Sequence, residues 1–174
     1  MLLKRGVHRN RILLGLPAVV LPALVAIAPA APTASATPVD ERVVAGSATG
    51  TEGLEPKLAL AYSLAHDQAE AEGVGLSITS GYRTPEQQEE LWLNGLQTYG
   101  SPDEARRWVL PSSESTHVSG QAIDVGPRGG AQWLEANGNR WGLCRIYENE
   151  WWHFELATLP GLACPPLRAD ASVQ

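Results

Sequence analysis

Two fragments decide how this chain is read: Ser115-Thr116-His117-Val118-Ser119-Gly120-Gln121-Ala122-Ile123-Asp124 and, further on, Glu150-Trp151-Trp152-His153. They hold two imidazoles and a carboxylate suited to a metal ion, and a second carboxylate, Glu150, close to the last histidine. A catalytic zinc site needs three protein ligands, one open position for water and a base for the water's proton. The chain has 4 histidines. One, His8, falls in an N-terminal leader, and His66 falls in a helical pattern beside Asp67. The two fragments take the other pair.

Asp124 is the most telling residue. It lies in the apolar, strand-like run Ala122-Ile123-Asp124-Val125. An ionised carboxylate in such a place is costly unless paired or coordinated. Asp124 therefore either binds a cation or pairs with an arginine. His117 lies too far back for one helical turn to join it to Asp124. A loop can, if Gly120 takes a backbone angle other residues avoid. In the final strand, expected over 151–156, side chains alternate faces. Trp151, His153 and Glu155 then share one face, with Trp152 and Phe154 on the other, in the core. Trp151, on the histidine's face, is a candidate wall for a substrate pocket. Glu150 is out of phase with His153 in an ideal strand, and only a bulge or twist at the hairpin exit turns it toward the metal.

Working outward, Leu54, Leu58, Ala61, Tyr62, Ala65 and Ala69 form a helical stripe over 54–72, stopped by Gly73. Val74 to Thr79 alternates as a strand does. Thr84-Pro85-Glu86-Gln87 is a capping box with proline at the first helical position, and its helix runs to about Tyr99. Ser101-Pro102-Asp103-Glu104 repeats the signal for a shorter helix through Trp108. A strand is expected over 121–125, a helix over 129–139, and strands over 141–147 and 151–156 joined by a tight turn at Glu148-Asn149. Helices lead and most strands follow, so the class is α+β, a small antiparallel sheet with helices packed on one side.

The first residues are not part of this pattern. Lys4, Arg5, Arg9 and Arg11 precede an apolar run, Ile12 to Ala28, and a small-residue stretch ending Ala34-Ser35-Ala36. That order describes a secretory signal peptide over 1–36, the alternative being an uncleaved anchor. A flexible lead-in is expected over 37–53, the catalytic domain over 54–168 and a tail over 169–174. The leader takes four of the 13 basic residues and none of the 19 acidic ones, which leaves nine against nineteen, a net charge of −10. That sign argues against nucleic acid. No second apolar run follows, so no transmembrane segment is expected in the mature chain. Cys144 and Cys164, the only cysteines, are expected to form a structural disulfide after export. A cysteine-containing zinc site is the alternative.

The pattern Ser115, His117, Gly120, Ala122, Asp124, then Glu150, Trp152, His153, resembles the zinc D-alanyl-D-alanine carboxypeptidases of the VanY/VanX type. Ser80-Gly81-Tyr82-Arg83-Thr84, with Gln88 beyond, resembles a further signature of that family. The resemblance runs from about Leu54 to Leu156. It implies the small α+β fold of the lysostaphin and hedgehog-type metallopeptidases, with one Zn2+ per chain on His117, Asp124 and His153. It implies that Glu150 is the general base, that Arg83 stabilises an oxyanion or binds substrate, and that Ser115 contacts substrate. Gln88 is a pocket or scaffold residue. The substrate implied is a peptidoglycan stem peptide, cut at its terminal D-Ala-D-Ala by a secreted, wall-associated bacterial enzyme, expected to be a monomer. The alternatives are an endopeptidase using the same site, for instance on an L-Ala-D-Glu bond, and a wall-binding module without catalysis. Two histidines and a carboxylate do not exclude other divalent ions.

Overall fold

The computed structural model of the protein describes residues 48–173; the expected signal peptide and most of the expected lead-in lie outside the described residues. Helix α1 spans Pro56–Ala71. Its predicted stripe, together with Leu54 just before it, is buried. Strand β1 is Ser77–Ser80, later than the expected run by a few residues. Helix α2, Pro85–Tyr99, starts at a complete capping box. The Gln87 N–H donates to Thr84 Oγ1 at 3.2 Å, and the Thr84 N–H donates to Gln87 Oε1 at 2.9 Å. Helix α3, Pro102–Arg106, is capped by the Ser101 side chain. Strand β2 (Ala122–Gly126), helix α4 (Arg128–Asn137), a 3-10 turn (Gly138–Trp141), strand β3 (Leu143–Arg145) and strand β4 (His153–Leu156) complete the order.

The four strands form one antiparallel sheet in the order β1-β2-β4-β3. Ile123 of β2 lies opposite Phe154 of β4. Both are fully buried and join Val125, Leu143, the α1 stripe, and Ala131 and Leu134 of α4 in one core. α1 and α4 thus cover one face of the sheet, as the α+β reading expects. Successive side chains alternate faces. Asp124 and His153, also direct partners in the β2–β4 ladder, therefore turn to the opposite face.

The β3–β4 connection departs from expectation. Both strands are shorter than predicted, and residues 146–152 form a wide loop instead of a tight turn at Glu148-Asn149. The loop's backbone groups pair with the end of the chain. The Glu148 N–H donates to the Arg168 carbonyl at 2.8 Å, and the Arg168 N–H donates to the Ile146 carbonyl at 2.9 Å. The Asn149 amide donates to the Arg107 carbonyl.

Residues expected as a tail are accordingly packed. Asp170 and Ala171 are buried, and Arg107 Nε donates to Asp170 Oδ2 at 2.9 Å. At the other boundary, Ala48 and Thr51 of the expected lead-in are buried too. No helix among the described residues is long and apolar enough to cross a membrane.

Cys144 of β3 and Cys164 form a disulfide with a Cα–Cα separation of 5.7 Å. It uses both cysteines of the chain, so neither offers a thiolate to a metal. The bridge spans a sequence separation of 20, and closing a loop of that size stabilises a fold by about 3 kcal/mol. The Cys144→Ser/Cys164→Ser double variant is predicted to lose about that much in denaturant unfolding while binding the same amount of metal. Loss of metal along with the disulfide would contradict a purely structural role.

Candidate metal centre and cleft

The β2–β4 ladder supplies two of the predicted ligands side by side, Asp124 and His153. The third comes from the loop before β2. His117 is turned inward there because the chain reverses at Gly120, which has φ 70°. A Cβ at that position would lie 2.6 Å from the Gly53 carbonyl oxygen, so a larger residue fits neither the angle nor the space. The ligand-capable atoms of His117, Asp124 and His153 all lie within 4.8 Å of one another. Asp124 Oδ1 is 3.4 Å from His117 Nε2 and 3.2 Å from His153 Nδ1.

The remaining ring nitrogens fix the orientation of each imidazole. His117 Nδ1 lies 2.8 Å from the Gly81 carbonyl, which only accepts, so Nδ1 donates there and Nε2 is the ring atom aimed at Asp124. His153 Nε2 lies 3.0 Å from Glu155 Oε1, so Nδ1 is the ring atom aimed at Asp124. These tautomers are assigned from the partners. Two imidazole nitrogens and one carboxylate oxygen, each anchored from behind, suit a borderline divalent cation such as Zn2+.

Asp124 resolves the choice between cation and arginine by facing both. Its Oδ2 accepts from Arg83 NH2 at 2.7 Å, while Oδ1 faces the histidines. Burial alone would raise the Asp124 carboxyl, but its hydrogen bonds to His117 and His153 outweigh that and hold it well below the usual carboxylate range. Burial alone would likewise lower His153. The hydrogen bonds to Asp124 and Glu155 reverse the direction and raise it to about 9. His153 thus keeps its proton between two carboxylates, Asp124 and Glu155.

Glu150 joins the site by a route that strand alternation does not describe. Residues 150–152 are loop and turn, and the β4 strand begins only at His153. Glu150 Oε2 lies 3.8 Å from His153 Nδ1, on the ligand side of the ring. Burial, the largest influence, raises its carboxyl to about 7, assisted by the nearby Asp124 charge. The same turn exchanges the two tryptophans. Trp152, expected in the core, lines the cleft instead. Trp151, expected on the pocket wall, packs against the core with the Arg128 guanidinium over its ring at 5.2 Å.

The cleft holds about 330 Å³, and Arg83, Gln88, Ser115, His117, Asp124 and Glu150 are among its lining. Gln88 is fully buried and holds Arg83: its Oε1 accepts from Arg83 NH1 at 3.0 Å, and its Nε2 donates to the Leu110 carbonyl at 2.8 Å. Arg83 Nε donates to Ser80 Oγ at 2.8 Å. Two residues of the site were not singled out in the sequence. Glu155 orients His153 and accepts from Thr116 Oγ1 at 2.8 Å; its place on the histidine's face was readable from strand alternation. Tyr147 lines the cleft with its ring 5.1 Å from that of His153, and no sequence signal marked it.

Removing the carboxylate behind His153, in Glu155→Ala, is expected to weaken zinc binding by about 10- to 100-fold with an unchanged circular dichroism spectrum, read by competition with a chromogenic chelator. Zinc must also displace the proton that His153 retains below about pH 9. Affinity is therefore expected to tighten by about tenfold per pH unit for one displaced proton as pH rises from about 6 to 8. An affinity independent of pH would contradict that assignment.

The family model for VanY, D-alanyl-D-alanine carboxypeptidase, matches residues 51–157. The chain is 31% identical to a D-alanyl-D-alanine carboxypeptidase of Enterococcus faecalis, the alignment covering 51% of this chain and 42% of the relative. It thus spans less than half the length of that curated relative. Among solved structures it is similar to a variant of the vancomycin resistance D,D-pentapeptidase VanY from a VanB-type resistance cassette, in complex with Zn(II). The TM-score is 0.54 and the identity 28%, over 59% of this chain and 71% of that one. VanYB in complex with D-alanine-D-alanine matches with the same score and identity over 59% and 70%. The LD-carboxypeptidase LdcB matches with a TM-score of 0.52 and 25% identity over 59% and 58%. The family match covers more than half of the chain and takes in both histidines, all three carboxylates and Arg83 of the site: the chain belongs to the VanY family of D-alanyl-D-alanine carboxypeptidases.

Proposed function

We propose that this protein is an exported bacterial zinc peptidase that releases the terminal D-alanine of peptidoglycan stem peptides ending in D-Ala-D-Ala. The observation that carries the reading is the convergence of three ligand atoms beside one buried glutamate on the wall of an open cleft. His117, Asp124 and His153 would hold one Zn2+, which supplies Lewis-acid chemistry for activating water and polarising a carbonyl. The zinc-bound VanY and the D-alanine-D-alanine-bound VanYB support the choice of metal and substrate.

Glu150 is the general base. Its carboxyl, raised by burial to about 7 in the metal-free protein, is a proton acceptor that can return the proton to the departing amine. Arg83 gives one N–H each to Ser80, Gln88 and Asp124. A guanidinium has five, so two remain for a developing oxyanion or a substrate carboxylate. Ser115 and Trp152 supply cleft wall, with Trp152 in the place expected of Trp151. One chain carries all these groups, and the expected working unit is a monomer. The basic, apolar and small-residue order of the leader supports export, and the disulfide fits an oxidising compartment.

Mass spectrometry of a pentapeptide ending in D-Ala-D-Ala, incubated with zinc-loaded protein, tests the reading. Loss of one alanine is expected, slowed about 10³-fold in Glu150→Ala with zinc still bound at one per chain. An internal cut would move the enzyme to the endopeptidases. Full activity in Glu150→Ala would overturn the base.

A further inference from the structure

The cleft does not stop at the metal centre. One stripe of α2, at Gln88, Leu91, Gly95, Thr98 and Tyr99, lines it to the helix C-terminus, as positions three and four apart share a face. The opposite wall is Trp108, Val109 and Leu110. A Cβ on Gly95 would overlap Val109, so glycine is what lets the two walls close together. At the far end the Tyr99 and Trp108 rings lie stacked, 12° from parallel with centroids 6.1 Å apart. Both are about 41% exposed, although large aromatic rings are ordinarily well buried.

We propose that Tyr99 and Trp108 form a second subsite, an aromatic platform that stacks on an N-acetylated hexosamine ring of the glycan strand carrying the stem peptide. This inference rests on the stem-peptide reading above. A pyranose presents a face of weakly positive C–H groups that packs on the negative face of an aromatic ring. The side chains that line the cleft beside the platform are uncharged: the Asn94 amide, and the Thr98 hydroxyl, which donates to the Asn94 carbonyl and can still accept, suited to sugar hydroxyls and acetamido groups.

The reach also fits. Gln88 holds Arg83, which pairs with Asp124, and Tyr99 lies 11 positions further along α2. At 1.5 Å per residue that is about 16 Å. A pentapeptide cut before its last residue places four residues between the scissile bond and the sugar, which cover about 13–14 Å when extended, and the lactyl linker of muramic acid adds the remaining few ångströms.

The test compares kcat/KM for a disaccharide-pentapeptide with that for the same pentapeptide without sugar. The wild-type protein is expected to prefer the sugar-bearing substrate by about tenfold. The ratio is expected to fall to about one in Tyr99→Ala and in Trp108→Ala, and to be retained in Tyr99→Phe. A ratio near one in the wild type, or an equal fall for both substrates in the alanine variants, would overturn the proposal. Titration of tryptophan fluorescence with the disaccharide N-acetylglucosaminyl-N-acetylmuramic acid alone keeps the outcome separate from cleavage. Saturable binding that Tyr99→Ala abolishes supports the platform even if no peptide is cut. Absence of binding, with the pentapeptide still cut, rejects the platform and leaves the peptidase reading intact.

Discussion

The β2–β4 register is the constraint on which the rest of this molecule depends. Ile123 opposite Phe154 and Asp124 opposite His153 are consecutive rungs of one antiparallel ladder. The first rung is driven into the core by burial of two large apolar side chains, and alternation then delivers the second rung to the other face. A slip of β4 by one residue would turn His153 into the core and Phe154 into the cleft, parting the imidazole from the carboxylate. The hydrophobic effect that assembles the sheet therefore also places the charged pair. The other groups of the site are brought up to this rung by loops: His117 by the reversal at Gly120, Arg83 by the exit from β1, and Glu150 by the turn before β4.

These groups form one connected polar network. Thr116 donates to Glu155, which anchors His153; His153 meets Asp124, and Asp124 accepts from Arg83. Arg83 is held by Gln88, whose amide ends on the Leu110 carbonyl. The two oxygens of Asp124 divide the work, one for the guanidinium and one for the cation side. A buried carboxylate needs such compensation, and a chain of satisfied buried hydrogen bonds also fixes side-chain direction. The cost of burying charge and the precision that metal chemistry requires are met by the same contacts.

Much of this was legible in the sequence, for identifiable reasons. The α1 stripe and the Thr84–Gln87 capping box are local signals, and both helices lie close to where those signals put them. The clustering of His117, Asp124 and His153 could be read because histidine is scarce in the chain and Asp124 interrupts an apolar strand. What escaped the sequence depends on distant partners. The β3–β4 connection read as a tight turn opens into a loop because its backbone groups pair with Arg168. That loop takes Glu150, Trp151 and Trp152 out of strand alternation, which brings the glutamate to the metal side and exchanges the roles of the tryptophans. Tyr147 and the packed residues Asp170 and Ala171 were hidden for the same reason. Gln88 had no role assignable from sequence, since its function is to hold an arginine whose own partner lies in a different strand.

The central claim is that His117 Nε2, Asp124 Oδ1 and His153 Nδ1 share one zinc ion with Glu150 beside it. A crystal structure of the zinc-loaded protein, with anomalous scattering recorded at the zinc edge, tests it most directly. The account predicts one anomalous peak per chain at about 2.0–2.2 Å from those three atoms, with Glu150 outside bonding distance and Glu155 still hydrogen-bonded to His153 Nε2. Zinc bound through His153 Nε2 and Glu155, or an anomalous peak elsewhere in the chain, would contradict it.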